Sequence, residues 1–259
     1  RKNANNHDEN NAGDIIGIPE MQNQDLETPI DTGLRLLLEA NPGGGKTTFC
    51  KRLVLAMLNN EESFFMKYAE ENDLFFKSES LPVLISCKNI ADLSAGELAS
   101  LNFIQLLYKL CVQSFGQHFS EISEGEFIEL DESNKSNQLC IILDGWDEIL
   151  DAEKEQAFCE NLNNFLEQNP SADTIITIRV SYVAPELFQP YSARMIIRPL
   201  SDNDIREFCK KWYEIILSPN QQRTKNYSLI SEQILSSKDQ QVRAMMKNPL
   251  DLSLLLTVS

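Results

Sequence analysis

With 259 residues, 42% of them hydrophobic, the chain can bury the core of one large α/β domain, or of one domain and the beginning of another. Its formal net charge of −16 argues against non-specific attraction to nucleic acid or to an anionic membrane, since both need a basic face. Neither direct nucleic-acid binding nor a membrane partner is expected.

Residues 1–32 are polar and asparagine-rich (Asn3, Asn5, Asn6, Asn10, Asn11), with one apolar patch at Ile15, Ile16 and Ile18. They read as a linker whose last part can dock on the domain. The apolar run 34–40 then breaks into Asn41-Pro42-Gly43-Gly44-Gly45-Lys46-Thr47-Thr48, the pattern of a buried strand, a phosphate-cradling loop and the start of a helix. Glycines let successive backbone N–H groups turn toward a phosphate, the lysine reaches the terminal phosphates, and a threonine hydroxyl can ligate Mg²⁺. Ala40 stands where the pattern G-x-x-x-x-G-K-[ST] has its first glycine, and an alanine is strained there only if φ must be positive.

A helix over 47–58 follows, with Phe49, Leu53, Val54, Ala56 and Met57 at helical spacing and its N-terminus toward the phosphates. Residues 61–76 predict a short helix and turn, and 81–88 a second strand with Pro82 at its beginning. An amphipathic helix is expected over 98–115, carrying Leu101, Ile104, Leu106, Leu107, Leu110, Cys111 and Val112. The stretch 117–137 is acidic, loop-rich and solvated. Strand-like runs return at 138–144, 174–179 and 193–198, and a helix over 152–168 turns Phe158, Leu162, Phe165 and Leu166 inward. Strands alternating with helices predict a parallel sheet of five strands covered on both faces.

From Leu200 the pattern becomes helical. Ser201 and Asp204 resemble a capping box, and Ile205, Phe208, Cys209, Trp212, Ile215 and Ile216 recur at helical spacing. Further helix is expected at 227–235 and 242–246, with Pro249 interrupting before 250–256. The expected organisation is therefore a linker over 1–32, an α/β domain over 33–199 and an incomplete helical subdomain over 200–259. No repeat of solenoid period is present. Trp146 and Trp212 read as packing residues.

The six cysteines fall singly in apolar contexts, the usage of buried reduced thiols in a cytoplasmic protein. His7 and His118 are the only histidines, which leaves little for a zinc site or a histidine-based triad. No long apolar run or export signal occurs. A first residue that is not methionine, and an end just after an apolar run, suggest a piece of a longer protein.

Chemistry concentrates in a second stretch, Cys140-Ile141-Ile142-Leu143-Asp144-Gly145-Trp146-Asp147-Glu148. A strand ending in Asp144 places that carboxylate at the carboxyl edge of the sheet, positioned to hold Mg²⁺ opposite Thr47. Asp147 or Glu148 can then orient or deprotonate an attacking water. A third feature, Thr177-Ile178-Arg179, ends the next strand, where an arginine can reach a γ-phosphate; the competing assignment is an arginine paired with a surface acid. Asn134-Lys135-Ser136-Asn137 lacks the aspartate of a guanine-reading Asn-Lys-x-Asp motif, so ATP is favoured over GTP.

Together these motifs resemble the NACHT family of signal-transduction ATPases. The matches are Pro42 to Thr48, Leu143 to Glu148, Thr177 to Arg179, and Lys247-Asn248-Pro249-Leu250. The resemblance implies a phosphate-loop NTPase core of five strands, with the sensor strand between the phosphate-loop and acidic-motif strands, then a helical bundle. It implies a site binding ATP/ADP with Mg²⁺, in which Pro42, Gly43, Gly44, Gly45, Lys46, Thr47 and Thr48 hold phosphates. Thr47 and Asp144 would ligate the metal, Asp147 and Glu148 handle water, Arg179 sense the γ-phosphate, and Pro249 lie against the adenine. It further implies slow ATP hydrolysis, self-association through the module when ATP-bound, and effector and sensor domains outside this chain, in innate immune or anti-phage signalling. The rival readings are a continuously cycling AAA+-type mechanical ATPase and a non-hydrolysing, ADP-filled interaction scaffold.

Overall fold

A computed structural model of the chain describes residues 20–21, 33–61, 80–116, 123–127, 139–182, 193–216 and 227–258. Most of the expected linker, nearly all of 61–76, most of 117–137, both histidines and Asn134 to Asn137 lie outside the described residues. The elements fall into two units divided between Arg198 and Pro199.

In the first unit the order is β1 (Glu20–Met21), β2 (Arg35–Ala40), α1 (Lys46–Leu58), β3 (Leu81–Ser86), a 3-10 turn (Cys87–Asp92), α2 (Ala95–Ser100), α3 (Phe103–Phe115), β4 (Leu139–Asp144), a second 3-10 turn (Trp146–Glu148), α4 (Ala152–Gln168), β5 (Asp173–Arg179) and β6 (Ala193–Ile196). The strands make one sheet in the order β1-β6-β2-β5-β4-β3. β2 to β6 are mutually parallel, the five strands expected, with β5 between β2 and β4. A sixth, two-residue strand extends the sheet at its edge. β1 pairs antiparallel with β6 through Glu20 and Met21 inside the stretch read as linker. Two residues carry no pattern of their own, and the partner strand defines them.

Strand pleat sorts the core. Leu37, Ile141, Leu143, Ile176 and Ile178 face one way and pack with Phe103, Leu106, Leu107 and Leu110 of α3 and Phe158, Leu162 and Phe165 of α4. Leu36, Leu38, Cys140, Ile142 and Ile175 alternate with these and are buried on the other face, and α1 packs against β2, β3 and β4 through Phe49, Cys50 and Leu53. Each such aliphatic side chain contributes roughly 1.5–3 kcal/mol of burial. Glu39, buried within β2, is compensated by Arg194, whose Nε donates to Glu39 Oε1 at 2.8 Å. All six cysteines are free and buried, as their usage predicts.

The expected helix over 98–115 is two helices. Asn102 breaks it: its side chain accepts from the Gln105 N–H at 2.9 Å while Gln105 Oε1 accepts from the Asn102 N–H at 3.1 Å, a capping box that starts α3 afresh. α2 opens with its own box, Ser94 with Glu97. β3 stops at Ser86, where the chain enters a 3-10 turn instead of extending to Lys88.

The second unit contains α5 (Asp202–Ile216), α6 (Tyr227–Leu235), α7 (Gln240–Met246) and α8 (Pro249–Val258). Ser201 and Asp204 cap α5 reciprocally, as expected. Leu200, Ile205, Cys209, Tyr213, Ile234, Met246, Leu252 and Leu256 form its core. Ile215 is exposed, contrary to the sequence reading: six residues past Cys209 it is turned about 120° away from that buried side chain, and Tyr213, four residues past it, takes the inward position. Pro249 opens α8, a first-turn position where its missing N–H costs nothing, beside Asn248, whose Oδ1 accepts from the Leu250 N–H at 2.9 Å. Among the described residues no helix is long and apolar enough to cross a membrane.

Candidate functional site

The parallel register aligns the carboxyl ends of three central strands. Ala40 lies opposite Arg179, and Leu143, next to Asp144, lies opposite Ile176. The loop leaving β2 turns through Gly43 (φ 73°) and Gly45 (φ 98°), both left-handed, so these two positions need glycine. Gly44 is required for another reason. A Cβ there would sit 2.9 Å from the Asn41 carbonyl, which accepts from the Gly44 N–H at 2.9 Å. Ala40 is fully buried, and the only non-glycine residue of positive φ among the described residues is Asn60, so alanine is unstrained at the end of the strand. Beside Gly45 the space is open: an added Cβ would meet nothing within 4 Å.

Lys46 is the first residue of α1. Burial lowers its pKa, Asp147 opposes that shift most strongly, Arg179 adds to it, and Asp144 and Glu148 oppose it. The lysine thus shares one electrostatic neighbourhood with four of the residues singled out from sequence. Pro42, Thr47 and Thr48 are exposed, and Gly43, Gly44 and Gly45 half-buried.

Asp144 is oriented by Thr177, a fully buried residue whose hydroxyl donates to Asp144 Oδ1 at 2.8 Å and accepts from the Gly145 N–H at 2.8 Å. Gly145, left-handed at φ 80°, swings the chain into the turn Trp146–Glu148. Asp147 is held at both oxygens by one residue. Oδ1 accepts from the Arg179 backbone N–H at 3.1 Å and Oδ2 from the Arg179 Nε at 2.8 Å, with the Asp147 side chain only 6% exposed and that of Arg179 49%. Arg179 therefore pairs with an acid, as the competing assignment holds, but the acid belongs to the acidic motif. Glu148 is exposed.

Behind this turn, Trp146 Nε1 donates to Glu155 Oε1 at 2.6 Å, and the Tyr182 hydroxyl donates to the same oxygen. The phenol pKa is pushed up by burial first and then by Glu155. Cys50 and Cys87 lie close enough to Asp144 for its charge to add to the burial that raises their pKa values.

The structure thus gathers Lys46, Asp144, Asp147, Glu148 and Arg179. Pro249 belongs to the helical unit, at the start of α8. Sequence reasoning missed Thr177 as a positioning group, and it missed Glu155 and Tyr182 altogether. Thr177 carried a signal, a hydroxyl two residues before a strand-end arginine; Glu155 and Tyr182 carried none.

Among the described residues no group of three or more His, Cys, Asp or Glu side chains forms a ready-made metal cage. Mg²⁺ takes one or two protein oxygens together with phosphate and water, and the hydroxyl of Thr47 and carboxylate of Asp144 are of the right chemistry for it. The open, glycine-turned loop likewise fits a phosphate.

A parallel sheet with this loop at the carboxyl end of β2 and an acidic strand end on β4 defines an α/β fold of the phosphate-loop type. The family model "Nephrocystin 3, N-terminal" matches residues 21–179, well over half of the chain, and the chain belongs to that family. No curated protein matches it. Among solved structures, a chain of the E. coli MS115-1 HORMA:CdnC:Trip13 complex is similar at 12% identity over 87% of this chain, with a TM-score of 0.40. The present chain spans 66% of that one. A chain from "Structural Basis for Katanin Self-Assembly" is similar at 12% identity over 90% of this chain and 73% of its own length, with a TM-score of 0.45.

Proposed function

We propose that the chain is a NACHT-type nucleotide switch that binds ATP or ADP with Mg²⁺ and hydrolyses ATP slowly. The observation that carries the reading is Lys46, set at the start of α1 after two left-handed glycines and flanked by Asp144, Asp147, Glu148 and Arg179. In this reading the glycine loop with Pro42, Lys46 and Thr48 would hold the phosphates, and Thr47 and Asp144 would hold the metal, which would supply charge neutralisation to the phosphates. Asp147 and Glu148 handle water, and Arg179 exchanges Asp147 for the γ-phosphate. Pro249 as adenine contact rests on the motif resemblance alone. So do self-association in the ATP state, effector and sensor domains outside this chain, and a place in innate immune or anti-phage signalling. An arginine with two partners, one present only with ATP, is the differential contact a switch requires.

The test is titration of Mg·ATP and Mg·ADP into the purified chain, with exchange against labelled nucleotide. Lys46→Ala should weaken binding by about 30-fold or more, the worth of a charge-assisted phosphate contact. Unchanged affinity would sink the reading. Fast steady turnover stimulated by a polymer would favour the mechanical ATPase, and tightly held ADP that never exchanges would favour the scaffold.

A further inference from the structure

We propose that Glu155 is a positioning residue that fixes the acidic turn against the exit of β5, and through them holds Asp147 and Arg179 in register. The inference rests on the nucleotide-site reading for its catalytic consequence, but its geometry stands alone. One oxygen, Glu155 Oε1, accepts from Trp146 Nε1 at 2.6 Å and from the Tyr182 hydroxyl. Trp146 adjoins Asp147 in sequence, and the Tyr182 N–H donates to the Arg179 carbonyl at 2.9 Å. The Asp147–Arg179 pair closes the ring. Contacts therefore run from Glu155 through Trp146 to Asp147, across to Arg179, and back through Tyr182.

The anchor is rigid. Glu155 sits on α4, a 17-residue helix whose start is capped by Asp151, and the Trp146 ring packs 5.4 Å from Phe158 on the same helix. A shared acceptor fixed to a helix is how a second layer of side chains holds reacting groups in place. Trp146 is fully buried, so without Glu155 its indole N–H would lose this acceptor in the interior. Burial first and then Glu155 push the Tyr182 phenol pKa up, which favours the protonated donor form.

Three variants test the idea: Glu155→Ala removes the acceptor, Glu155→Gln keeps an oxygen acceptor, and Tyr182→Phe removes one donor. In the nucleotide-free chain, hydrogen exchange at the Arg179 and Tyr182 amides should rise about tenfold in Glu155→Ala and in Tyr182→Phe, and stay within about threefold of wild type in Glu155→Gln. Well below the unfolding midpoint, kcat for ATP should fall about tenfold in Glu155→Ala with KM within twofold, and recover in Glu155→Gln. Unchanged exchange at these amides in both Glu155→Ala and Tyr182→Phe overturns the positioning role, whether or not the chain hydrolyses ATP. Raised exchange with unchanged kcat overturns its catalytic consequence. A wild-type chain that neither binds nor hydrolyses ATP defeats the nucleotide-site reading, while the exchange result still decides the geometry.

Discussion

At Ala40 the local geometry settles what a substitution in the loop can do. The residue ends β2 opposite Arg179, is fully buried and has ordinary backbone angles, so its side chain is tolerated where a glycine stands in the pattern. Gly44 is the reverse case: a Cβ placed there would approach Asn41 O to 2.9 Å and Ala40 Cβ to 3.1 Å. Ala40→Gly should therefore lower stability by about 1 kcal/mol through added chain entropy and a lost buried methyl, with nucleotide affinity within about threefold. Gly44→Ala must move backbone of the loop proposed to hold the phosphate, and should lower affinity at least about tenfold. Paired calorimetry and urea unfolding check both. An Ala40→Gly chain that binds more weakly than Gly44→Ala would overturn the assignment of which loop position is sterically constrained.

Among the elements, α2 offers a pH test. Glu97 closes its capping box with Ser94 and also meets Lys109 on α3, Nζ to Oε1 at 2.5 Å. The Lys109 hydrogen bond first, then the backbone and hydroxyl of Ser94, pull the carboxyl from an ordinary 4.5 down to about 2. A carboxyl depressed in the folded state contributes stability above pH 4.5 and loses it as pH falls through about 2. In that window the unfolded chain binds more protons. Glu97→Gln should flatten the acid limb of a stability–pH curve between those values, and added salt should mimic part of the effect because both partners are only half-buried. Equal slopes for the two chains would remove Glu97 from the acid response.

The same helix pair marks where sequence legibility ends. Strands β2, β4 and β5 announce themselves because both faces are buried, and α4 and α6 appear with the expected bounds. The α2–α3 break was hidden because apolar residues continue through Leu101, although Asn102 with Gln105 spelled a cap. The gathering of Lys46, Asp144, Asp147, Glu148 and Arg179 was legible because Lys46 begins α1, Asp144 and Arg179 end strands, and Asp147 and Glu148 fall in the turn directly after β4. Glu155 and Tyr182 were not legible, since their pairing depends on α4 and the β5 exit converging in space.

For the whole molecule, two cores of unequal size predict two transitions. The sheet unit has an extensive core on α3 and α4, whereas the core of the helical unit has, among the described residues, eight buried hydrophobic side chains from Leu200 to Leu256. Smaller units bury a smaller fraction of their surface and respond to denaturant with a shallower slope. Nature supplies a probe in each: Trp146, fully buried beside Phe158, and Trp212, stacked on Phe208 at 6.0 Å. In a chain carrying fluorotryptophan, the Trp212 resonance should lose its native signal at lower urea and with a smaller m-value than that of Trp146. Coincident midpoints and slopes would mean one cooperative unit. Mg·ADP at 100 times its Kd should raise stability of whatever binds it by about 2.7 kcal/mol. If Pro249 contacts the adenine, both resonances shift to higher urea. A shift confined to Trp146 would assign nucleotide binding to the sheet unit alone and remove Pro249 from the site.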